Sequence, residues 1–168
     1  MKNNIVLCGF MGSGKSTVGK CLAKKLNFTL ADSDALIEKC ESMVIRDIFA
    51  HCGEEYFRNV ESYIIGDLSK QSELIIATGG GAVLNQKNAE SLRKNGLVIF
   101  LDVTPETVLE RLKHDTTRPL LQRADKELAI KQLMEERRPK YEVAAHHTID
   151  ANRTAEEIAD DIITLYNS

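Results

Sequence analysis

The sequence predicts a three-layer α/β/α sandwich around a parallel sheet of about five strands. Short apolar runs alternate along the chain with longer segments of helical period. Most of these runs are apolar at consecutive positions, and continuous apolar strands are buried on both faces, as in a parallel sheet covered by helices. The length of 168 residues matches one domain, so a single domain is predicted over residues 1–168.

The apolar runs are the predicted strands, and segments of helical period lie between them. Strands are expected at residues 5–8, 28–31, 74–77, 97–101 and 148–149. Helices are expected at residues 15–26, 42–51, 54–70 and 88–95. Gly53 is expected to stop the second helix, and Gly96 to end the fourth in a left-handed conformation.

Two further helices are predicted from their first residues. Thr104 followed by Pro105 is typical of an N-cap with proline in the first turn. Thr154 with Glu157 three residues later is typical of a capping box. The helix that it opens is expected to end near Tyr166.

Two segments interrupt the alternation. Residues 113–125 lack a clean period and are longer than the usual connection, which predicts either a mobile lid or an ordered surface loop. Residues 78–82, with the sequence TGGGA, follow an apolar strand. Three consecutive glycines allow close approach to another group or a positive φ, and the alternative is a tight turn without a ligand.

Charge and composition exclude several classes of function. There are 22 basic and 25 acidic residues, and the net charge of −3 gives no general reason for the chain to bind nucleic acid or an anionic membrane. No apolar run approaches the roughly 18 residues of a membrane helix, and we expect a cytoplasmic protein. The four cysteines contain no CxxC pair and are expected to be reduced, without chemistry.

Residues 9–16 fit the phosphate-binding pattern GxxxxGK[ST], between a predicted strand and an amphipathic helix. In this loop, backbone N–H groups surround phosphate oxygens, a lysine reaches the β and γ phosphates, and a hydroxyl ligates Mg²⁺. The pattern therefore predicts a triphosphate site with Lys15 and Ser16 in those roles. The predicted nucleotide-binding residues of the loop are Gly12, Ser13, Gly14, Lys15, Ser16 and Thr17.

An acidic partner for the magnesium is expected at the end of a second strand, and two positions compete. Asp102 follows the better apolar pattern, but it lies two residues before the N-cap Thr104, where a structural role in the turn is an alternative. Asp32 ends another strand, and Asp34 follows it at the sheet edge where α/β proteins bind ligands. One of these carboxylates would serve the metal and the other the acceptor, unless Asp34 caps the next helix.

The acceptor is predicted to be a small acid. Neither an Asn-Lys-x-Asp motif nor a DxxG switch is found, which argues against a GTPase. Nucleobases are commonly bound by aromatic stacking, and the chain has no Trp, which argues against a nucleotide acceptor. Phe49 and Phe57 could still stack on a base, so this alternative stays open. Arg58 and Arg137, with Asp34 and the glycine triplet, suit a carboxylate substrate, because guanidinium binds carboxylate through two parallel hydrogen bonds. For each arginine the alternative is a solvated helix face, and for Arg137 salt bridges within the sequence Glu135-Glu136-Arg137-Arg138 are a further alternative.

Motifs along nearly the whole chain, from Gly9 to about Arg153, resemble the shikimate kinase family. Their order and spacing are similar to those of the family. The motifs are GFMGSGKST at 9–17, DSD at 32–34, FRNVE at 57–61, ATGGGAV at 77–83, TRPLL at 117–121 and RRPKY at 137–141.

The resemblance implies a P-loop kinase fold and ATP-dependent phosphorylation of the 3-hydroxyl of shikimate, in chorismate and aromatic amino acid biosynthesis. It also implies the acceptor site, with both arginines on the shikimate carboxylate, Asp34 as a catalytic residue and Glu61 orienting Arg58. The two phenylalanines would wall the ring of the acceptor. The acceptor-binding segment is expected at about residues 32–61, and the glycine triplet and Arg137 lie outside it. The implied shikimate-binding residues are Asp34, Phe49, Phe57, Arg58, Gly79, Gly80, Gly81 and Arg137.

On the nucleotide side, the resemblance implies that Arg118 acts from the lid on the phosphates and is catalytic together with Lys15. Arg111 and Arg153 would flank adenine, and Asp32 would join Ser16 in the magnesium shell. The chain is expected to be a monomer. The alternatives are a kinase of another polyol acid such as gluconate, and a regulatory nucleotide-binding module that hydrolyses ATP slowly and transfers nothing.

Overall fold

The structure is a computed structural model that describes all 168 residues. Five parallel strands form one sheet in the order β2-β3-β1-β4-β5, which confirms the predicted sandwich. The strands are β1 (Asn4–Cys8), β2 (Thr29–Asp32), β3 (Leu74–Ala77), β4 (Gly96–Asp102) and β5 (His147–Asp150).

Seven α-helices and two short 3₁₀ helices cover and connect the strands. The α-helices are α1 (Lys15–Leu26), α2 (Ser33–Glu41), α3 (Ile45–Leu68), α4 (Gln86–Asn95), α5 (Pro105–Arg111), α6 (Lys126–Ala144) and α7 (Ala155–Asn167). The 3₁₀ helices are Ala82–Leu84 and Pro119–Gln122, the second inside the predicted lid.

Alternate residues of the central strand supply two separate cores. Ile5 and Leu7 of β1 belong to a cluster with residues of α1, α5, α6 and α7. Val6 and Cys8 belong to a second cluster with residues of α3, α4 and α6. Because side chains of a strand point alternately to its two faces, a strand that is apolar throughout is buried on both sides.

The sheet order places the phosphate-binding loop near the middle of the molecule. β1 pairs with β3 on one side and with β4 on the other. Asp32 is in register with Ala77, so the carboxyl ends of β2 and β3 lie side by side. Loops that follow β1, β2 and β3 therefore meet at one edge, where open α/β sheets bind ligands.

Two glycines end or bend helices in different ways. Gly53 has φ 83° and ψ 167° and kinks α3 where the prediction separated two helices. The helix end predicted at Gly96 is confirmed, since α4 ends at Asn95, but the predicted left-handed conformation is wrong: the φ of Gly96 is −123°, which is extended, and Gly96 is the first residue of β4. Its reason for being glycine is close packing: a Cβ there would lie 2.8 Å from Cγ2 of Val6.

The predicted helix starts are confirmed by their hydrogen bonds. Oγ1 of Thr104 accepts a bond from the backbone N–H of Thr107, and Pro105 is the first residue of α5. At α7, Oγ1 of Thr154 accepts from the backbone N–H of Glu157, and the Glu157 carboxylate accepts from the backbone N–H of Thr154. Both signals are local, and they identify the start of each helix without tertiary information.

Candidate active site

The loop between β1 and α1 has the backbone that phosphate binding requires. Gly12 and Gly14 have φ of 75° and 93°, a region that other residues rarely adopt. Nζ of Lys15 donates to the carbonyl oxygens of Gly9 at 2.7 Å and Phe10 at 3.0 Å. Burial lowers the pKa of Lys15 to about 8. A negative charge bound in the loop would stabilise the charged form of this lysine.

One cleft of about 440 Å³ runs from this loop to the ends of β2 and β3. It brings together residues that the sequence placed in separate motifs. The predicted residues that line it are Gly12, Gly14, Lys15, Ser16, Thr17, Asp32, Asp34, Gly79, Gly80 and Arg118. Glu38 and Leu112 also line it, and no motif pointed to them.

Asp32 and Asp34 have different partners at the start of α2. Oδ2 of Asp32 accepts a hydrogen bond from Oγ of Ser16 at 3.2 Å, and Oδ1 accepts from the backbone N–H of Ala35 at 3.1 Å. Asp32 is therefore the N-cap of α2, and the alternative that gave this role to Asp34 is wrong. The Asp34 carboxylate makes no hydrogen bond within the chain.

The pKa of the Asp34 carboxyl is raised, mainly by its burial and further by the negative charge of Asp32, while Lys15 opposes the shift. A carboxylate with a raised pKa is a better proton acceptor than an exposed one. This environment suits a group that receives the hydrogen bond of a substrate hydroxyl.

Asp102 has a structural role, but it pairs with Arg138 and does not stabilise the turn before Thr104. Its two oxygens accept hydrogen bonds from Nη1 and Nη2 of Arg138 at 2.5 and 2.7 Å. This bidentate pair ties the end of β4 to α6 and not to the turn before α5. Asp32, which contacts Ser16, is thus the better candidate for a metal shell.

The pair of Ser16 and Asp32 fits Mg²⁺. Both offer oxygen donors, and their oxygens lie 3.2 Å apart on the wall of the cleft. Mg²⁺ commonly takes one or two protein oxygens and completes its shell with substrate phosphates and water. No group of three or more His, Cys, Asp or Glu side chains forms a metal site in the structure.

The glycine triplet lies against the predicted acceptor-binding side chains. A Cβ at Gly79 would collide with Oδ1 of Asp34, and a Cβ at Gly81 would lie 2.7 Å from Nη1 of Arg58. None of the three has a positive φ. The requirement for glycine at 79 and 81 is therefore close approach, which confirms one of the two explanations offered by the sequence.

Arg58 is held by a buried carboxylate. Its Nη1 donates to Oε1 of Glu61 at 2.8 Å, and Glu61 is only 1% exposed. Burial raises the pKa of Glu61, and the Arg58 guanidinium opposes this rise. The guanidinium also lies 5.1 Å from the ring centre of Phe57. Both terminal nitrogens of the guanidinium also lie beside Gly81, and Nε faces Oε1 of Glu54 at 3.6 Å.

Arg137 approaches the triplet from α6. Its Nη1 would be 3.6 Å from a Cβ at Gly80, and its guanidinium lies 5.8 Å from the ring centre of Phe10. Next to it, the Tyr141 hydroxyl donates to the carbonyl oxygen of Gly80 at 2.6 Å. Arg137 makes no ion pair, so the salt-bridge explanation for this arginine is wrong. The side chains of Arg58 and Arg137 thus approach the same turn, residues 79–81, from two different helices.

Phe49 and Phe57 stack with their ring centres 4.7 Å apart. Phe57 is 4% exposed, whereas Phe49 is 36% exposed. Phe49 is therefore the ring that presents an accessible face.

Arg111 and Arg153 meet on the other side of the phosphate-binding loop. They line a pocket of about 180 Å³ together with Ser13, Gly14 and Thr17. Arg111 donates to the carbonyl oxygens of Gly12 at 3.1 Å and Ala151 at 2.7 Å. The pocket therefore borders the loop between β1 and α1.

Some residues of the site carried no recognised signal. Oγ of Ser33 accepts a hydrogen bond from the backbone N–H of Gly79 at 2.9 Å and so joins α2 to the glycine turn. Ser33 lies inside the DSD motif and Tyr141 inside RRPKY, so the motifs contain these residues without revealing their partners. The partners are backbone atoms far along the chain, which no local pattern predicts.

Gly81→Ala is expected to raise the KM for the acceptor by about tenfold, because an added methyl group displaces the Arg58 guanidinium, and a shift of about 1 Å in a positioning group can cost up to about 10²-fold. Its φ of −104° suits alanine, so the backbone is not strained. The matched control is Gly66→Ala in α3, where an added Cβ meets nothing within 4 Å. An unchanged KM in Gly81→Ala would contradict the placement of Arg58 against the acceptor.

Known proteins resemble this chain in sequence and in fold. A family model described as shikimate kinase matches residues 11–167. A shikimate kinase of Caldanaerobacter subterraneus is 46% identical over 97% of this chain and 95% of its own length. The solved shikimate kinase of Acinetobacter baumannii in complex with shikimate has a TM-score of 0.93 and 38% identity, covering 99% of this chain and 94% of the other. A gluconokinase of Sinorhizobium meliloti, with a TM-score of 0.63 and 21% identity over 96% of this chain and 90% of its own, shares the fold.

No helix of the structure combines the length and the apolar character of a membrane-spanning helix.

Proposed function

This chain belongs to the shikimate kinase family, and we propose that its cleft carries the γ-phosphoryl group of ATP to the 3-hydroxyl of shikimate. The enzyme is an ATP-dependent kinase acting on a small-molecule alcohol, in aromatic amino acid biosynthesis. The observation that carries the assignment of the site is the convergence of Asp34, Arg58 and Arg137 on one glycine turn beside the phosphate-binding loop.

In this proposal the loop between β1 and α1 binds the triphosphate of ATP. Backbone N–H groups of the loop and the N-terminus of α1 surround the phosphate oxygens, and Lys15 reaches the β and γ phosphates. Arg111 and Arg153 flank adenine in the adjoining pocket. Arg118 faces the transferring group from the lid side of the cleft.

Ser16 and Asp32 would hold Mg²⁺ together with the phosphates. The ion supplies neutralisation of the charge that collects on the β and γ phosphates. Asp32 also caps α2, so the helix that carries Asp34 starts from the same carboxylate that contacts Ser16.

On the acceptor side, Arg58 and Arg137 bind the carboxylate of shikimate. Two guanidinium groups around one carboxylate give charge-assisted hydrogen bonds and fix the orientation of the ring. Phe49 and Phe57 form its apolar wall. Asp34 then accepts the hydrogen bond of the 3-hydroxyl and aligns its oxygen with the γ phosphate.

Phosphoryl transfer depends on alignment and on charge neutralisation more than on covalent chemistry. Lys15 and Arg118 neutralise the transferring group. Asp34 takes the proton of the hydroxyl as the new P–O bond forms, while the bond from the γ phosphorus to the bridging oxygen breaks and that oxygen leaves with ADP. Residues 113–125 act as a lid over the cleft, which excludes water that would otherwise hydrolyse ATP. In this division of the single domain, residues 32–61 form the acceptor-binding segment.

The experiment that tests this function is analysis of the products formed from ATP, Mg²⁺ and shikimate. Phosphorus NMR and mass analysis are expected to show shikimate 3-phosphate and ADP in equal amounts, and no transfer when Mg²⁺ is withheld. A coupled ADP assay on a panel of acceptors includes gluconate as the chemical control. Faster transfer to gluconate, or ATP turnover that is independent of any acceptor, would favour one of the alternatives.

A monomeric state and a cytoplasmic location remain predictions from the sequence. Light scattering of the purified chain would check the first. Neither nucleic acid nor a membrane surface has a part in the proposed reaction.

A further inference from the structure

Asp115 lies three residues before Arg118, in the segment that joins α5 to α6. Its Oδ1 accepts hydrogen bonds from the backbone N–H of Thr117 at 2.8 Å and from Oγ1 of Thr117 at 2.7 Å. Its Oδ2 accepts from Nε of Arg118 at 3.2 Å. Both oxygens of one carboxylate are thus used, one to form a turn and one to hold the arginine.

The backbone of Arg118 is also constrained, whereas the terminal nitrogens of its side chain have no partner in the protein. Arg118 precedes Pro119 and has φ −100° and ψ 122°, the extended region to which a following proline restricts a residue. Its carbonyl oxygen accepts from the backbone N–H of Leu121 at 3.1 Å. Its two terminal nitrogens make no hydrogen bond and no ion pair within the protein, and the side chain lines the cleft with Lys15 and Asp34.

We propose that Asp115 is a positioning residue for phosphoryl transfer: it holds the Arg118 guanidinium by Nε and leaves both terminal nitrogens for the transferring phosphoryl group. This inference rests on the proposed function, because it concerns the role of Arg118 in it. All the hydrogen bonds of the Asp115 carboxylate lie within residues 115–118. The arrangement therefore stays together whatever position the lid adopts.

Loss of the Asp115 carboxylate is expected to affect the rate of phosphoryl transfer and not the stability of the fold. Arg118 and Asp115 side chains are 45% and 21% exposed, and ion pairs that water reaches contribute little to folding. A free arginine side chain samples many rotamers, and a guanidinium that is already held loses less freedom when it meets the transition state. Removal of the carboxylate is therefore expected to lower kcat while the melting temperature stays unchanged.

Asp115→Asn is the direct test, because its amide oxygen can still accept from Thr117 while an NH₂ group replaces the oxygen that faces Arg118. We expect kcat to fall by about tenfold, with KM for ATP and shikimate changed by less than about twofold. The matched control is Glu110→Gln in α5, outside the lid. Glu110 accepts from Nζ of Lys113 at 2.7 Å, three residues along the chain as in the pair of Asp115 and Arg118, and its loss is expected to leave kcat unchanged.

A double-mutant cycle with Arg118→Ala separates positioning from a structural role, with rates from single-turnover reactions so that slow variants are measurable. We expect Asp115→Asn to have no further effect in the Arg118→Ala background. An equal loss in both backgrounds, or wild-type kcat in Asp115→Asn while Arg118→Ala is slow, overturns the positioning role alone. Full activity of Arg118→Ala would overturn the role proposed for Arg118 as well, and lack of any product from the wild-type chain would overturn the proposed function itself.

Discussion

Asp34→Asn is expected to slow the phosphorylation of shikimate by at least about tenfold and by up to about 10⁴-fold, which is the range of a positioned acid or base. Asparagine keeps the shape of the side chain but is a far weaker proton acceptor for the substrate hydroxyl. ATP affinity is expected to remain nearly intact, because the phosphate contacts proposed above come from the loop before α1. The measurement is single-turnover phosphorylation together with ATP binding by calorimetry.

The control for Asp34→Asn is Asp67→Asn, which makes the same chemical change on an exposed position of α3. Unchanged turnover in Asp34→Asn would remove Asp34 from the catalytic role. A loss of ATP affinity as large as the loss of rate would mean that Asp34 acts instead through the charge of Lys15, which its carboxylate stabilises.

Arg58→Ala is expected to have two separable effects, on shikimate affinity and on folding. The KM for shikimate should rise by about 10 to 100-fold, as expected from the loss of a charge-assisted contact to the substrate carboxylate. The free energy of unfolding should fall by about 2 kcal/mol, because Glu61 is left buried without its partner. The Arg58 side chain is 34% exposed, so water can replace part of this contact and moderates the cost.

The double variant Arg58→Ala/Glu61→Gln distinguishes the two effects. A neutral amide in place of the buried carboxylate is expected to restore much of the stability, measured by denaturant unfolding, while the shikimate KM stays high. Recovery of both quantities together would show that Arg58 serves the fold alone and does not bind the acceptor.

Local sequence signals predicted several elements of this fold correctly. The loop at residues 9–16, the N-caps Thr104 and Thr154 and the strands of continuous apolar residues are all confirmed, and each is encoded within a few neighbouring positions. Such signals work because a turn or a cap is held by hydrogen bonds between residues close in the chain.

Local sequence patterns predicted the backbone conformation of the glycines poorly. Gly96 matched the pattern of a left-handed helix stop, yet its backbone is extended. Val6 of a neighbouring strand occupies the space that a Cβ at Gly96 would need. The sequence left open whether the glycine triplet marks close approach or positive φ, and the packing of Asp34 and Arg58 against it decided for close approach.

The sequence by itself determined the fold class, the phosphate-binding loop, the family and a set of candidate residues for both substrates. Only the tertiary structure decided which of them meet: Asp32 rather than Asp102 contacts Ser16, and Arg137 joins Arg58 at the glycine turn without any salt bridge of its own. The reason is that strand order and helix packing set distances between residues far apart in the chain. Those distances depend on the complementary fit of whole surfaces, which is a property of no single segment.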